Sequence, residues 1–424
     1  MATTPAETDP ARRDRRGPLA GLRICDLTGQ LAGAGGTRTL AAFGAEVIRV
    51  EDPVRQGRWD ILRGVPPFVD RRRGIELGGG FNNHNVEKLG VTIDTRTERG
   101  RDLLARLIAV SDVVTENFSA EVLERWGLGY ERMRELRPDI IYVSNCGFGH
   151  TGPYRRFRTW GPIVQAVCGL TFEVGLADAP TAGFGFSYMD HHGANLMALA
   201  VLAALHHRDR TGEGQWVDMS TVEAGATLLG PLVLDWAVNG RPVRRPGMPA
   251  SNRAHHPPMA PHGIYRASGD DEWIAIACRD DAEWKALSGL IGDWALEARW
   301  DRLAGRLAAQ DELDARLDAW TAPRPKFALQ AELLAVGVPA AAVQRPSERI
   351  DHDPSTASWG LWPEVDHPEM GRVRVDGIPV HLSATDWSIA RGAPLLGQHN
   401  RYVFGTLLGL DDDELARLEA DGVI

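Results

Sequence analysis

Four cysteines in 424 residues are too few and too scattered to form a covalent framework. Cys25, Cys146, Cys168 and Cys278 contain no C-x-x-C pair, which argues against both a disulfide-stapled fold and a thiolate zinc site. Their use suits a reducing cytoplasm, and each reads first as a small buried hydrophobe. Long apolar runs are missing too. The longest, "LMALAVLAAL" at 196–205, is about half of the ~20 residues that a bilayer crossing needs. Nor is there a basic excess: 47 Lys and Arg stand against 57 Asp and Glu, a net charge of −10. That balance offers no general attraction for nucleic acid or a membrane, and leaves only a local basic patch for an anionic ligand. The opening "MATTPAETDPARRDRRG" lacks the apolar core of a signal peptide and reads as a disordered tail over 1–17. No internal repeat is present.

What is present is an alternation. The chain is long enough for two domains. From Gly21 onward, short β-rich runs at 22–27, 46–51, 89–94, 112–117 and 140–145 are separated by helical patterns. In 97–111 the apolar residues Leu103, Leu104, Leu107 and Ile108 share one helical face. This order predicts an α/β fold with βαβ units and a mostly parallel sheet, which receives ligands beyond the carboxyl ends of its strands. A long helix is expected to follow Asp190, and then a turn and short strand over 210–220. Ser220 and Glu223 fit a capping box opening a helix over 221–240. The Pro-, Arg- and His-rich stretch 241–263 reads as a functional loop or linker at a domain boundary. A hairpin over 263–278, helices to about 335 and a strand pair within 371–383 complete the reading.

Several constellations carry chemistry. The turn "TGQLAGAGG" after the first strand has glycines at 29, 33, 35 and 36, which do not make the G-x-G-x-x-G of a dinucleotide site. It reads as a tight turn bringing a helix N-terminus to the sheet, where an anion can bind. Arg96, Asn117, Phe118 and Arg125 follow strand ends and suit a nucleotide's phosphates and base, or are simply surface and core residues. His255, His256 and His262 lie in a stretch without Asp or Glu, a poor metal set, and no metal is expected. His206 and His207 suit a helix C-terminus. Asp190, in "FSYMDHHGAN", reads first as an N-cap. The helix after it is almost wholly apolar, so the carboxylate also fits a nucleophile for acyl transfer at a cleft. His191 and His192 are either nearby bases or first-turn residues.

The chain resembles the class III CoA-transferases of the CaiB/BaiF type, which include the formyl-CoA:oxalate, carnitine and bile-acid enzymes. The resemblance runs from about Pro18 to Ile424. It rests on "GLRICDLTGQLAGAGGTRTLAAFGAEVIRVEDP", "DVVTENF", "GLGYERMRELRPDIIYVSNCGFGHTGPY", "LAALHHRDRTGEGQWVDMS" and "GAPLLGQHN", in that order. It implies a Rossmann-like large domain over 18–225 and 336–424, a smaller α+β domain over 226–335, and two subunits interlocked as a dimer. It implies Asp190 as the nucleophile, which takes the acyl group from a donor acyl-CoA as a mixed anhydride and then carries CoA as a thioester to a carboxylic acid. CoA is then a substrate, and no permanent cofactor is implied. By motif position the CoA contacts fall on Gln30, Leu31, Ala32, Ile93, Arg96, Asn117, Phe118, Arg125, Gly147 and Phe148. Backbone amides of "GFGHTG" (147–152) are expected to stabilise oxyanions.

The sequence departs from the family at two positions. Asp52 stands where some members carry arginine, and Cys146 where some carry lysine. Arg49, Lys88 or the arginines of 241–253 are the expected substitutes for phosphate binding. The glycine-run lid of the oxalate-type enzymes is missing from the middle segment, and the run at 78–80 lies elsewhere, so 241–263 is the candidate lid. The same fold serves 2-methylacyl-CoA racemases, which need an Asp and a His as opposed acid and base. Their histidine would fall near Trp160, which cannot exchange a proton; His150 is the residue that could rescue that alternative. A heteromer with a non-catalytic partner is a further alternative, against which the retained Asp190 argues.

Overall fold

A computed structural model of the chain describes residues 17–174, 180–183, 185–242, 252–254 and 256–424. The chain divides into two compact units. One comprises Met1–Thr171, Gly183–Gly230 and Ser355–Ile424; the other comprises Phe172–Ala182 and Pro231–Pro354. The tail over 1–16 and, within 241–263, residues 243–251 and 255 lie outside the described residues.

The first unit is built on a six-stranded parallel sheet. Its strands are β1 (Arg23–Asp26), β2 (Glu46–Glu51), β3 (Leu89–Thr92), β4 (Val113–Glu116), β5 (Ile141–Cys146) and β6 (Trp216–Ser220), in the order β3-β2-β1-β4-β5-β6. Each pair is in parallel register, from Ile48 opposite Leu89 to Cys146 opposite Ser220. All five strands read from the sequence are present, as is the one expected over 210–220.

The helices on either side follow from alternation within the strands. Side chains alternate across a sheet, so both faces of these apolar runs are buried. Cys25, Ile48, Val91, Val114 and Tyr142 face one way, against α3 (Glu98–Ala109) through Leu103, Leu104, Leu107 and Ile108. Thr97 caps α3 by accepting the amide of Gly100. Ile24, Val47, Val113, Ile141 and Val143 face the other way, against α1 (Ala34–Ala42) and α8 (Tyr188–Thr211). Shorter helices fill the connections: α2 (Gly79–Asn85), α4 (Val122–Arg125), α5 (Tyr130–Leu136), α6 (Gly161–Val167), α7 (Leu170–Glu173) and α9 (Thr221–Ala226).

The C-terminal segment protects the open edge of β3. His399 donates its amide to Gly90 O (2.9 Å) and accepts the Gly90 amide on Nδ1 (3.0 Å). Asn400 accepts the Thr92 amide at 2.9 Å. A Cβ on Gly90 would meet Pro394 at 2.8 Å, so only glycine permits this approach. The motif "GAPLLGQHN" thus serves as an edge strap.

Two expectations need correcting. The helix expected over 221–240 ends at Ala226, passes through one turn of tighter helix, and breaks at Gly230 (φ 37°) before α10 (Pro231–Asn239). The strand pair expected inside 371–383 pairs Gly371–Arg374 with the preceding Glu364–His367 instead.

The second unit holds an antiparallel sheet of β7 (His262–Arg266), β8 (Trp273–Ala277) and β9 (Ala340–Ala342). Helices pack on it through Trp284, Trp300, Leu317 and Leu333. The hairpin expected over 263–278 is present. Among the described residues, no helix is long and apolar enough to cross a membrane.

Candidate active site

Beyond the carboxyl ends of β1, β4 and β5 lies a cavity of about 600 Å³, formed wholly within the first unit. Its wall includes Asp190, at the start of α8. Asp190 is not the N-cap. Ser187 occupies that position, and Asp190 is the third helical residue, its amide donating to Ser187 O at 3.1 Å. A carboxylate in a first turn still gains from the helix dipole. Burial nevertheless raises its pKa above the usual carboxylate range, while the Ser187 hydroxyl and the nearby His191 pull it back down.

The carboxylate is set against the start of α6. A Cβ on Gly161 would fall 2.7 Å from Asp190 Oδ2, so glycine leaves the carboxylate its space. Gly193, one turn further along α8, packs on Thr221, whose hydroxyl donates to Asn145 Oδ1 at 3.1 Å. Asn145 in turn donates to Ala32 O at 3.2 Å. This network ties α8, β5 and the first glycine-rich turn into one rigid wall.

Of the CoA contacts expected from the resemblance, Gln30, Leu31, Ala32, Asn117, Phe118 and Gly147 line the cavity. Asn117 is fixed by exchange with Gly29: it donates to Gly29 O at 3.0 Å and accepts the Gly29 amide at 2.8 Å. Phe118 packs with Trp59, ring centroids 5.2 Å apart. The remaining four are off the wall. Ile93 is buried in the sheet core. Arg96 is turned onto Asp94, with Nε 2.7 Å from Oδ1. Arg125 is an exposed residue closing α4. Phe148 packs on Tyr154 and Phe157.

Arg49 and Lys88 cannot serve as phosphate anchors, because both are wholly buried. Arg49 pairs with Asp60 at 2.8 Å and Lys88 with Asp26 at 3.1 Å. Arg241 pairs with Asp235, and Arg253 with Asp311 and Asp314, while Arg244 and Arg245 lie outside the described residues. The cations on the wall are Arg55, Arg155 and Arg158, accompanied by Trp59 and Trp160. Sequence reasoning passed over them because they sit on irregular segments. The local signal was "RQGRWD" directly after β2, arginine and tryptophan together near a strand's carboxyl end.

The amides of "GFGHTG" are partly committed elsewhere. Gly147 is on the wall, where a Cβ would strike Thr159 Oγ1 at 1.9 Å. The His150 amide, however, donates to Asp218 Oδ1 at 2.7 Å and has no proton left for an oxyanion. His150 itself is buried, 3.2 Å from Glu116 and not on the wall, whereas Trp160 is on it. No proton-exchanging histidine therefore opposes Asp190 along this wall, and the racemase alternative loses its second residue.

His191 stacks on Phe186 (centroids 4.9 Å) and lies near His84; burial, more than any neighbour, lowers its pKa. Neither His191 nor His192 is on the wall. His206 and His207 sit inside α8, not at its end, which Gly212 closes in the left-handed region. Among the described residues no three His, Cys, Asp or Glu side chains converge as metal ligands; His255 lies outside them.

The sequence profile of CoA-transferase family III matches residues 19–400. The succinyl-CoA–D-citramalate CoA-transferase of Chloroflexus aurantiacus is 35% identical over 96% of this chain and 98% of its own length. The succinyl-CoA:mesaconate CoA-transferase of Haloarcula marismortui is 34% identical over 90% of this chain and 94% of its own. The crystal structure of a CaiB/BaiF family protein from Brucella suis superposes with a TM-score of 0.82 at 31% identity, covering 92% of this chain and 100% of the other. The chain belongs to CoA-transferase family III and is an enzyme of the CoA-transferase type.

Proposed function

We propose that the enzyme moves CoA from a donor acyl-CoA to an acceptor carboxylic acid, with Asp190 as the covalent carrier. The observation that carries this reading is the Asp190 carboxyl on the wall of a cavity that also presents Arg55, Arg155, Arg158 and the Trp59–Phe118 pair. The arginines suit the phosphates of CoA and the aromatic pair suits its base.

An Asp190 oxygen attacks the thioester carbonyl, and the carbon–sulfur bond breaks with its electron pair leaving on the CoA thiolate. Thiolate leaves readily because its conjugate thiol has a pKa of about 8.5. That thiolate then attacks the aspartyl carbonyl and releases the donor acid as carboxylate. The acceptor carboxylate opens the Asp190 thioester, and returning thiolate makes the new acyl-CoA and restores Asp190. Burial that raises the carboxyl's pKa also makes the anion a stronger nucleophile once formed.

Succinyl-CoA is the donor we put first, because both curated relatives described above are named for it. The wall residues Trp160 and Val164 favour an acceptor with an apolar body. The resemblance also supports an interlocked dimer; Leu234 and Trp236 on α10, each 62% exposed, are the surface that we assign to a second copy of the chain.

The test is transfer from succinyl-CoA to a panel of carboxylic acids, followed by mass spectrometry, with wild type and Asp190→Ala. Hydroxylamine should trap Asp190 in wild type alone. Full activity in Asp190→Ala, or trapping elsewhere, would overturn the reading.

A further inference from the structure

The cavity that holds Asp190 continues along the turn after β2. A smaller cavity of about 310 Å³ shares Arg55 and Trp59 with it. A third, of about 500 Å³, shares Arg58 with the smaller one. All three lie within the first unit. Arg58 and Trp59 are adjacent in the chain yet serve successive compartments: Trp59 the first two, Arg58 the second and third.

The third cavity presents Arg58 and Arg73 beside the apolar side chains of Ile61 and Ile75. Both arginines are exposed, and among the described residues neither enters an ion pair. The acid on the same wall, Asp60, is buried and already committed, to Arg49 at 2.8 Å and to the amides of Gln30 (3.0 Å) and Leu62 (3.1 Å). A buried cation holds the two segments together. Arg63 donates to both Glu51 oxygens, at 2.7 and 2.6 Å, and also to Glu76 (2.6 Å) and Ile75 O (3.3 Å). Gly57 lies against this cluster: a Cβ there would approach Arg63 Nε to 2.9 Å, and its φ of 65° is left-handed. Arg58 follows Gly57 directly and Arg73 stands two residues before Ile75, so one buried ion cluster anchors both sides of the cavity.

We propose that Arg58 and Arg73 form the site for the 3′-phosphate on the ribose of CoA, separate from the arginines that take its diphosphate. The proposal rests on the transferase reading of the main cavity. CoA carries a diphosphate on the arm leading to its thiol and a phosphomonoester on the ribose, beside the base. With the base on Trp59 and Phe118 and the diphosphate in the main cavity, the monoester falls beside Trp59, where the next side chain is Arg58. A phosphomonoester is largely dianionic at neutral pH and accepts from two guanidinium forks at once. Asp52 and Cys146 stand where cations were expected, and Arg58 and Arg73 supply that charge from another segment.

The experiment compares CoA with 3′-dephospho-CoA by calorimetry on the full-length protein, as wild type, Arg58→Ala and Arg73→Ala, and compares transfer from the two succinyl thioesters. Wild type should bind CoA about tenfold more tightly than dephospho-CoA. In either variant that ratio should fall toward one through weaker CoA binding, with dephospho-CoA binding as before and the change appearing in KM. Adenosine 3′,5′-bisphosphate should displace CoA more effectively than AMP in wild type and no better than AMP in the variants. A wild type indifferent to the 3′-phosphate, a preference that survives in both variants, or equal weakening of both ligands would overturn the proposal. So would inorganic phosphate that competes as well as the bisphosphate, since the site would then hold a free anion. The two readings fail separately. Discrimination of the 3′-phosphate without any CoA transfer sinks the transferase reading alone, and transfer with equal use of the two thioesters sinks this one alone.

Discussion

The carboxylate of Asp190 rests directly on the backbone of Gly161, with room for a hydrogen on that α-carbon and for nothing larger: a methyl group there would approach Oδ2 to 2.7 Å. Gly161→Ala should therefore push the proposed nucleophile aside and leave the fold intact. A displacement of about 1 Å at a reacting atom costs on the order of 10²-fold in rate. The measurement is kcat with succinyl-CoA beside the circular dichroism spectrum. A normal kcat would mean that Asp190 tolerates displacement and is not the reacting group.

The acid limb of the pH–rate profile should lie above the ordinary carboxylate range, because burial raises the Asp190 pKa and only the ionised form attacks. Activity then falls as pH drops through that raised value. Ser187→Ala removes the hydroxyl that holds the pKa down, so its acid limb should move to higher pH. An unmoved limb would show that another group governs it.

The same shift has a sign for stability. The folded protein binds the Asp190 proton more tightly than the unfolded chain, so ionisation costs stability at neutral pH and the cost disappears in acid. Asp190→Asn should be inactive yet melt about 2–4 °C higher, the shift that about 1 kcal/mol produces in a domain of 150–250 residues. A lower melting temperature would contradict a destabilised carboxylate.

Arg55 and Arg158 reach the cavity wall from separate segments, and among the described residues the acidic partner of Arg55 is Asp52, at a loose 3.9 Å. Replacing either by alanine should raise KM for acyl-CoA about tenfold, the equivalent of about 1.4 kcal/mol, with kcat little changed. The difference should shrink at high salt. Unchanged KM in both variants would remove them from phosphate binding.

Lys88 is held by Asp26 (3.1 Å), Thr37 (2.7 Å), Ala34 O and Asn85 (each 3.0 Å), and burial pushes its pKa down to about 8. Lys88→Met leaves the Asp26 carboxylate buried and uncompensated, and should cost about 3–5 kcal/mol in chemical denaturation. A neutral effect would mean that Asp26 takes up a proton in the variant.

The strands were legible because buried parallel strands are short β-branched runs, and α3 because its four apolar residues fall on one face. Asp190's true position was also written in the sequence. Ser187 precedes it by three, the Ser-x-x-Asp spacing that opens a helix. Arg49 and Lys88 read as available cations because their partners are set by the fold: Asp26 is 62 positions from Lys88. Arg155, Arg158 and Trp160 carry no periodic signature, since an irregular segment acquires its direction only from what it packs against.

The strap over β3 has a consequence for how the molecule is made. Gly90 and Thr92 take their partners from Pro394, His399 and Asn400, more than 300 positions later. A ribosome releases the strand long before it releases those residues, so throughout most of translation one border of the sheet stands bare and able to pair with another chain. Premature termination ahead of residue 394 should therefore yield aggregates.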